Sequence, residues 1–284
     1  MKATRTTRLL VHLALIGVCA AAILPSLWML ATSFKTLDQA MRFPPKWWPH
    51  PFMWRNYSDV ISSQNTSVIL WTRNTLILEM LTVTGTTISS ALVAYGFARI
   101  KFRGRNFLFG VMLATMMIPF PVVMVPLFAI FRFIGDWTGS PWLGTLRPLW
   151  VPAWFGSAFN IFLLRQFFLT IPDELSEAAR IDGCGELSIF LRIIVPLSRP
   201  ALIVVALFSF MGTWNDFLGP LVYLQRPEQF TLALGLQNFQ SQHDGTPWHL
   251  LMAASVLVVL PVLILFFVAQ ETFVEGIATT GLKG

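Results

Sequence analysis

The sequence predicts an all-α integral membrane protein with six transmembrane helices and both termini cytoplasmic. Three observations predict it. Hydrophobic residues make up 55% of the 284 and charged residues only 12%, where a soluble domain carries about 25% charged residues. The excess apolar surface requires lipid as its solvent. Six apolar segments reach the roughly 20 residues that cross a bilayer. The basic residues stand at the ends of those segments rather than on one face, which orients the chain and excludes nucleic acid as the partner of a net charge of +6.

The expected spans are roughly 9–32, 70–98, 106–131, 145–168, 198–223 and 248–270. Lys2, Arg5 and Arg8 precede the first. Its apolar run from Leu9 to Ala31 exceeds the about 7–15 residues of a signal-peptide core, so a retained helix is expected. The connection 33–69 carries Phe43-Pro44-Pro45-Lys46-Trp47-Trp48-Pro49, which suits an aromatic belt at the outer interface despite Lys35, Arg42, Lys46 and Arg55. After the second span, Arg99, Lys101, Arg103 and Arg105 crowd a short loop. Together with Arg165, Arg180, Arg192 and Arg199 beside the loop after the fourth span, they place these regions in the cytoplasm. Pro119, Pro121 and Pro126 predict a kink or break in the third span. Pro152 and Pro261 fall in the fourth and sixth. No repeat or linker divides the chain, so 1–284 is expected to be one domain. Cys19, Cys184 and four scattered histidines form neither a disulfide framework nor a metal site.

The cytoplasmic loop over about 170–197 is a polar island in this apolar chain. Ile171-Pro172-Asp173-Glu174 reads as a helix start, with acids at the positive helix end. Leu175, Ala178, Ala179 and Asp182 follow at helical spacing, and Leu175 with the two alanines predicts a small-residue face that another helix approaches closely. Glu177, Arg180 and Asp182 remain for charged contacts. Gly183 ends the helix or permits close approach, and a second short helix over about 186–194 ends at Pro196.

Glu177-Ala178-Ala179, Gly183 after three residues, and Ile193-Ile194-Val195-Pro196 after nine more resemble the EAA motif of permease subunits of bacterial ABC importers. Val195 stands where that family usually has Leu. The stretches Ala98–Arg105, Met116–Pro119, Phe162–Phe168, Trp214–Phe217 and the tail Gly281–Gly284 are similar to the carbohydrate-importing branch, the smaller permease of maltose-type and glycerol-phosphate-type importers. The resemblance implies the type I importer permease fold in the inner membrane. The implied partners are a second permease subunit, a dimer of ABC ATPase subunits, an extracytoplasmic solute-binding protein, a sugar substrate and membrane lipid. It implies no cofactor on this chain, with ATP and Mg bound by the ATPase. The island becomes a coupling helix: Glu177, Ala178, Ala179, Arg180, Asp182, Gly183, Ile193 and Pro196 form the ATPase-docking element, and Glu177 pairs with a basic ATPase residue. Thr280, Gly281, Leu282, Lys283 and Gly284 match the family's tail and imply a second ATPase contact.

Glu79 lies deep in the second span, where an acid costs about 2.5–3.5 kcal/mol on insertion scales and has to face protein or water. It is a pathway candidate, or an acid paired within the bundle among Thr82, Thr84 and Thr86. Trp214, Asn215 and Asp216 can stack on and hydrogen-bond to a sugar, or pack helix to helix. No phosphate loop, Ser/His/Asp arrangement or HExxH is present, so the chain is not expected to be an enzyme. Two other readings stay open. One is an ABC importer of a non-sugar solute. The other is a proton-coupled secondary transporter acting through Glu79 and Asp216, a class that often shows paired repeat halves.

Overall fold

The computed structural model describes residues 5–62, 68–240 and 245–281. Among them every regular element is helical. This follows from the apolar composition, because each backbone group in hydrocarbon has to be satisfied within its own segment or by its protein neighbours.

α1 (Arg5–Ser33) is a continuous apolar helix with Pro25 inside it. α2 (Leu37–Met41) starts at Thr36, whose hydroxyl accepts from the Gln39 N–H. α3 (Arg55–Ser62) follows the Pro- and Trp-rich segment. α4 (Val68–Arg99) runs 32 residues unbroken. Gly104, at φ 85°, leads into α5 (Arg105–Thr115). The chain breaks at 116–119, and α6 (Phe120–Thr138) starts after Pro119. The expected third span over 106–131 is therefore two helices, and the one of membrane-crossing length is Phe120–Thr138, with Pro126 inside. Pro119 and Pro121 have no N–H to continue α5, and they suit a helix start instead.

The expected span over 145–168 is also interrupted. α7 (Arg147–Trp150) and a 3-10 turn over Pro152–Phe155 precede Gly156, at φ 88°, and only then does α8 (Ala158–Phe168) begin. α9 (Asp173–Ile181) is bent by 78° from the Arg147–Phe168 stretch. α10 (Glu186–Ile189), a π-helical turn over Phe190–Ile194 and α11 (Val195–Leu197) form a stretch bent by 81° from α12 (Arg199–Trp214). The expected fifth span over 198–223 stops at Asn215, which ends α12, before α13 (Leu218–Tyr223) begins. α14 (Leu232–Asn238) and α15 (Trp248–Gly281, containing Pro261) complete the chain. Within the described residues, α1, α4, α6 and Trp248–Gln270 of α15 are long and apolar enough to cross a membrane, and the number rises to six if each bent pair is one span.

The chain groups into two compact units. In the first, residues 1–69 and 235–263, the exit from α1 is tied down by polar groups. Asn56 Nδ2 donates to the carbonyls of Ser33 and Lys35, both at 2.8 Å. Lys35 is 1% exposed, its Nζ 3.8 Å from the Trp28 ring centroid and 3.3 Å from Thr32 Oγ1. Phe34 packs among Phe52, Trp54 and Tyr57, while Phe43 and Trp48 stand exposed.

In the second unit, residues 70–234 and 264–284, α4 presents Ala91, Ala94 and Ala98. These small side chains admit Ile161, Leu164 and Phe168 of α8, and the same core takes in Ala201 and Val205 of α12 and Ile189, Phe190 and Ile194 of the loop. At the other end of α4, Trp71 Nε1 donates to Pro227 O at 2.8 Å, Asn74 Nδ2 to Glu228 O at 2.9 Å, and the Leu232 N–H to Thr75 Oγ1 at 2.8 Å.

Asn56→Ala leaves two buried carbonyls without their donor, a loss of about 2 kcal/mol. Thermal unfolding of the detergent-solubilised protein is expected to shift down by several degrees. An unchanged transition would mean that this clamp does not hold the unit.

Candidate functional site

The polar loop folds as two short helices joined by a tight turn. α9 starts after Pro172, with Asp173 and Glu174 in its first turn, where the helix dipole favours negative charge. It ends in a Schellman closure: the Cys184 N–H donates to Ala179 O at 2.9 Å and the Gly183 N–H to Arg180 O at 3.0 Å. Gly183 sits at φ 84° with open space around its α-carbon, so it is the backbone conformation and not crowding that favours glycine there.

Two side chains from the end of α4 fasten this loop. Arg99 donates to Asp173 Oδ1 and to the carbonyls of Phe168, at 2.6 Å, and Ile171. Tyr95 donates its hydroxyl to Glu186 Oε2 at 2.6 Å, its ring 5.1 Å from that of Phe190. Glu186 Oε1 accepts from Arg180 Nε at 2.7 Å. The Arg180 bond first, and the Tyr95 bond after it, hold the Glu186 carboxyl below the usual carboxylate range. A depressed folded-state value means that this contribution is present above the ordinary glutamate range and fades as pH falls through the lowered value.

The expected outward face of Leu175, Ala178 and Ala179 divides. Ala179 and Ser176 are buried in the chain's own core, whereas Leu175 and Ala178 are exposed. Arg180 is engaged by Glu186, so the exposed acids Glu177 and Asp182 remain as charged groups beside Ile181, which is 87% exposed. Ile193 is half-buried and Pro196 exposed. Sequence reasoning missed Tyr95, Arg99 and Glu186 as parts of the site. The available signal was two hydrogen-bonding residues four apart at the end of a span, which share one helix face.

The membrane acids lie elsewhere. Glu79 is buried on the α4 face that also carries Thr75, Thr82, Thr86 and Ser90, and neither of its carboxyl oxygens has a hydrogen-bond partner among the described residues. The expected pairing of Glu79 with a neighbouring threonine is therefore absent. Asp216 is not part-way along a helix as expected: it sits in the break after α12 and accepts the Gly219 N–H at 3.1 Å. Trp214 is buried and stacks on Phe210 at 5.2 Å, and Asn215 is exposed, donating to Met211 O at 2.8 Å. Of the tail, Thr280 and Gly281 continue the backbone of α15, and Leu282, Lys283 and Gly284 lie outside the described residues. Among the described residues no group of three or more His, Cys, Asp or Glu is placed to hold a metal ion.

The profile of the family described as binding-protein-dependent transport system inner membrane component matches residues 61–278. The arabinooligosaccharides transport system permease protein of Bacillus subtilis is 36% identical over 214 residues, 75% of this chain and 73% of its own length. The galactooligosaccharides transport system permease protein of the same organism is 31% identical over 294 residues, 100% of this chain and 99% of its own. A chain in the crystal structure of a bacterial ABC transporter involved in the import of the acidic polysaccharide alginate superposes with a TM-score of 0.82, covering 95% of this chain and 99% of that one, at 22% identity.

Glu79→Gln keeps the side-chain volume and removes the ionisable group, so solute uptake is expected to stay at the wild-type level. Abolished uptake with normal membrane insertion would show that transport needs a titrating group here. At Gly183, Asn tolerates the left-handed conformation and Val does not, a difference on the order of 1–2 kcal/mol. Gly183→Asn should therefore retain more co-purifying partner protein than Gly183→Val, and equal retention would contradict the turn's role.

Proposed function

The chain belongs to the binding-protein-dependent transport system inner membrane component family, and from that membership we propose that it is the membrane-spanning permease subunit of an ATP-driven carbohydrate importer. Relatives named for arabinooligosaccharides and galactooligosaccharides support an oligosaccharide or a related sugar derivative as solute. The observation that carries the coupling assignment is the α9 turn. It presents the exposed acids Glu177 and Asp182 beside the exposed Ile181, while its inner face is buried in the chain's own core.

In this reading the whole of 1–284 acts as one permease domain with six spans and both termini in the cytoplasm, Arg147–Phe168 and the stretch from Arg199 each belonging to one span on either side of the loop. The loop 170–197 docks on one subunit of an ABC ATPase dimer, which binds ATP and Mg. A second permease subunit completes the pathway, and an extracytoplasmic solute-binding protein delivers the sugar. Glu177 pairs with a basic ATPase residue. Ala178 and Asp182 lie at the contact, and Ala179, Gly183, Ile193 and Pro196 shape the loop from behind. The tail from Thr280 to Gly284 adds a second ATPase contact. Glu79, Trp214, Asn215 and Asp216 border the pathway. ATP binds one conformation more tightly than the other, and that difference shifts the population between inward- and outward-open states.

Two measurements test this. Chains that co-purify with a tagged copy identify the partners, and uptake across a panel of sugars, polyamines and phosphate identifies the solute class. Glu177→Lys replaces attraction with repulsion at the dock, so uptake and ATPase retention are both expected to fall at least tenfold, about 1.4 kcal/mol, with membrane insertion unchanged. Wild-type retention in that variant would remove the docking assignment.

A further inference from the structure

We propose that Tyr95 is a positioning residue for transport coupling. Its hydroxyl, through Glu186 and Arg180, latches the docking helix α9 to α4, so that displacement of α9 is delivered to that span. The inference rests on the docking reading above and adds the route by which the motion leaves the loop.

Three elements meet at one carboxylate. Tyr95 comes from α4, Glu186 from the first turn of α10, and Arg180 from the last turn of α9. Glu186 receives the Tyr95 hydroxyl on Oε2 at 2.6 Å and Arg180 Nε on Oε1 at 2.7 Å, with Arg180 Nη2 3.4 Å from Oε2. Both bonds have an ionised partner and are short, which makes them stronger and more directional than neutral ones. The Arg180–Glu186 pair alone is half-exposed, and such pairs contribute little. Tyr95 changes that: its ring is buried against Phe190 and lies in the same core as Ala179 and Ile189, so it fixes Glu186 to a rigid wall.

Without the hydroxyl, the polar links between α9 and α10 would be the Gly183 turn and the exposed ion pair, beside the core that Ala179 and Ile189 share. Arg99 fastens the opposite end of α9 at Asp173, so α9 is held to α4 at its first turn by Arg99 and at its last turn through Tyr95. Tyr95 and Arg99 are one turn apart on a helix that is unbroken from Val68 to Arg99. A tilt imposed on α9 is therefore passed to the helix that carries Glu79 and its buried threonines.

The latch is tested on the assembled complex, purified through a tag on this chain and placed in lipid nanodiscs. Hydrogen–deuterium exchange is read with and without a non-hydrolysable ATP analogue and Mg. In the wild type, exchange is expected to change over both 173–189 and 75–95. In Tyr95→Phe, which keeps the ring and its packing, the nucleotide response over 173–189 should persist, while that over 75–95 falls by at least about twofold. Glu186→Gln, at a half-exposed position, should give the same split, and the double variant should be no worse than either single one. A full wild-type response over 75–95 in Tyr95→Phe overturns the latch. If Tyr95→Phe does not assemble, a full response over 75–95 in Glu186→Gln overturns it. A wild-type complex whose 173–189 segment ignores nucleotide removes the docking assignment and the latch with it. The split response with 173–189 intact supports both.

Discussion

Backbone groups where a helix breaks off need hydrogen-bond partners that the helix no longer supplies, and in the second unit the polar side chains of α4 provide them. Trp71, Asn74 and Thr75 bond to the backbone of 227–232. Ser89 donates to Ala153 O at 3.2 Å, and Ser90 Oγ accepts the Ser157 N–H at 3.2 Å, so both serve the interruption before α8. Arg99 takes the carbonyls of Phe168 and Ile171, where the chain turns from α8 to α9. α4 is thus the template on which three non-helical passages of the second unit are laid. Its alanines make the same helix the close-packing surface for α8.

This division of labour separates the two faces of α9. The inner face is spent on the chain's own core, and the last turn is spent on Glu186. What is left outward is the small Ala178 and the acids Glu177 and Asp182, flanked by the exposed Leu175 and Ile181. A surface of this kind suits a shallow socket lined by basic residues, where charge fixes register more than it supplies affinity. Arg180, expected to be free for charged contacts, is engaged within the chain by an acid six residues away.

Much of the architecture was legible because composition and periodicity report directly on the solvent. The apolar runs behind α1, α4 and α15 appear in the structure within a few residues of their expected bounds. The prolines also announced the interruption before α6. The breaks at Gly156 and at 215–217 were not legible, because they depend on partners distant in sequence: Ser90 for Ser157, and a glycine turn that Asp216 caps. The loop's spacing was visible, and its glycine occupies the left-handed turn that closes α9. Which residues face inward was not visible. Ala178 and Ala179 are chemically identical, and only the folded packing decides that Ala179 joins the core while Ala178 stays exposed. Tyr95 was hidden for the same reason, since nothing near it in sequence names Glu186 as its acceptor.

α4 is 32 residues long, about 48 Å at the rise of an α-helix. That exceeds the roughly 30 Å hydrocarbon layer by about 18 Å. The excess is accommodated by tilt, by projection into the headgroups, or by local thickening of the bilayer. Bilayer thickness therefore bears on the same rod that holds the loop. A thinner bilayer favours a steeper lean of α4, a thicker one draws it upright, and either change moves the Tyr95 end relative to the membrane plane. Lipid chain length thus becomes a mechanical input, acting from within the membrane on the helix to which the loop over 170–197 is fastened.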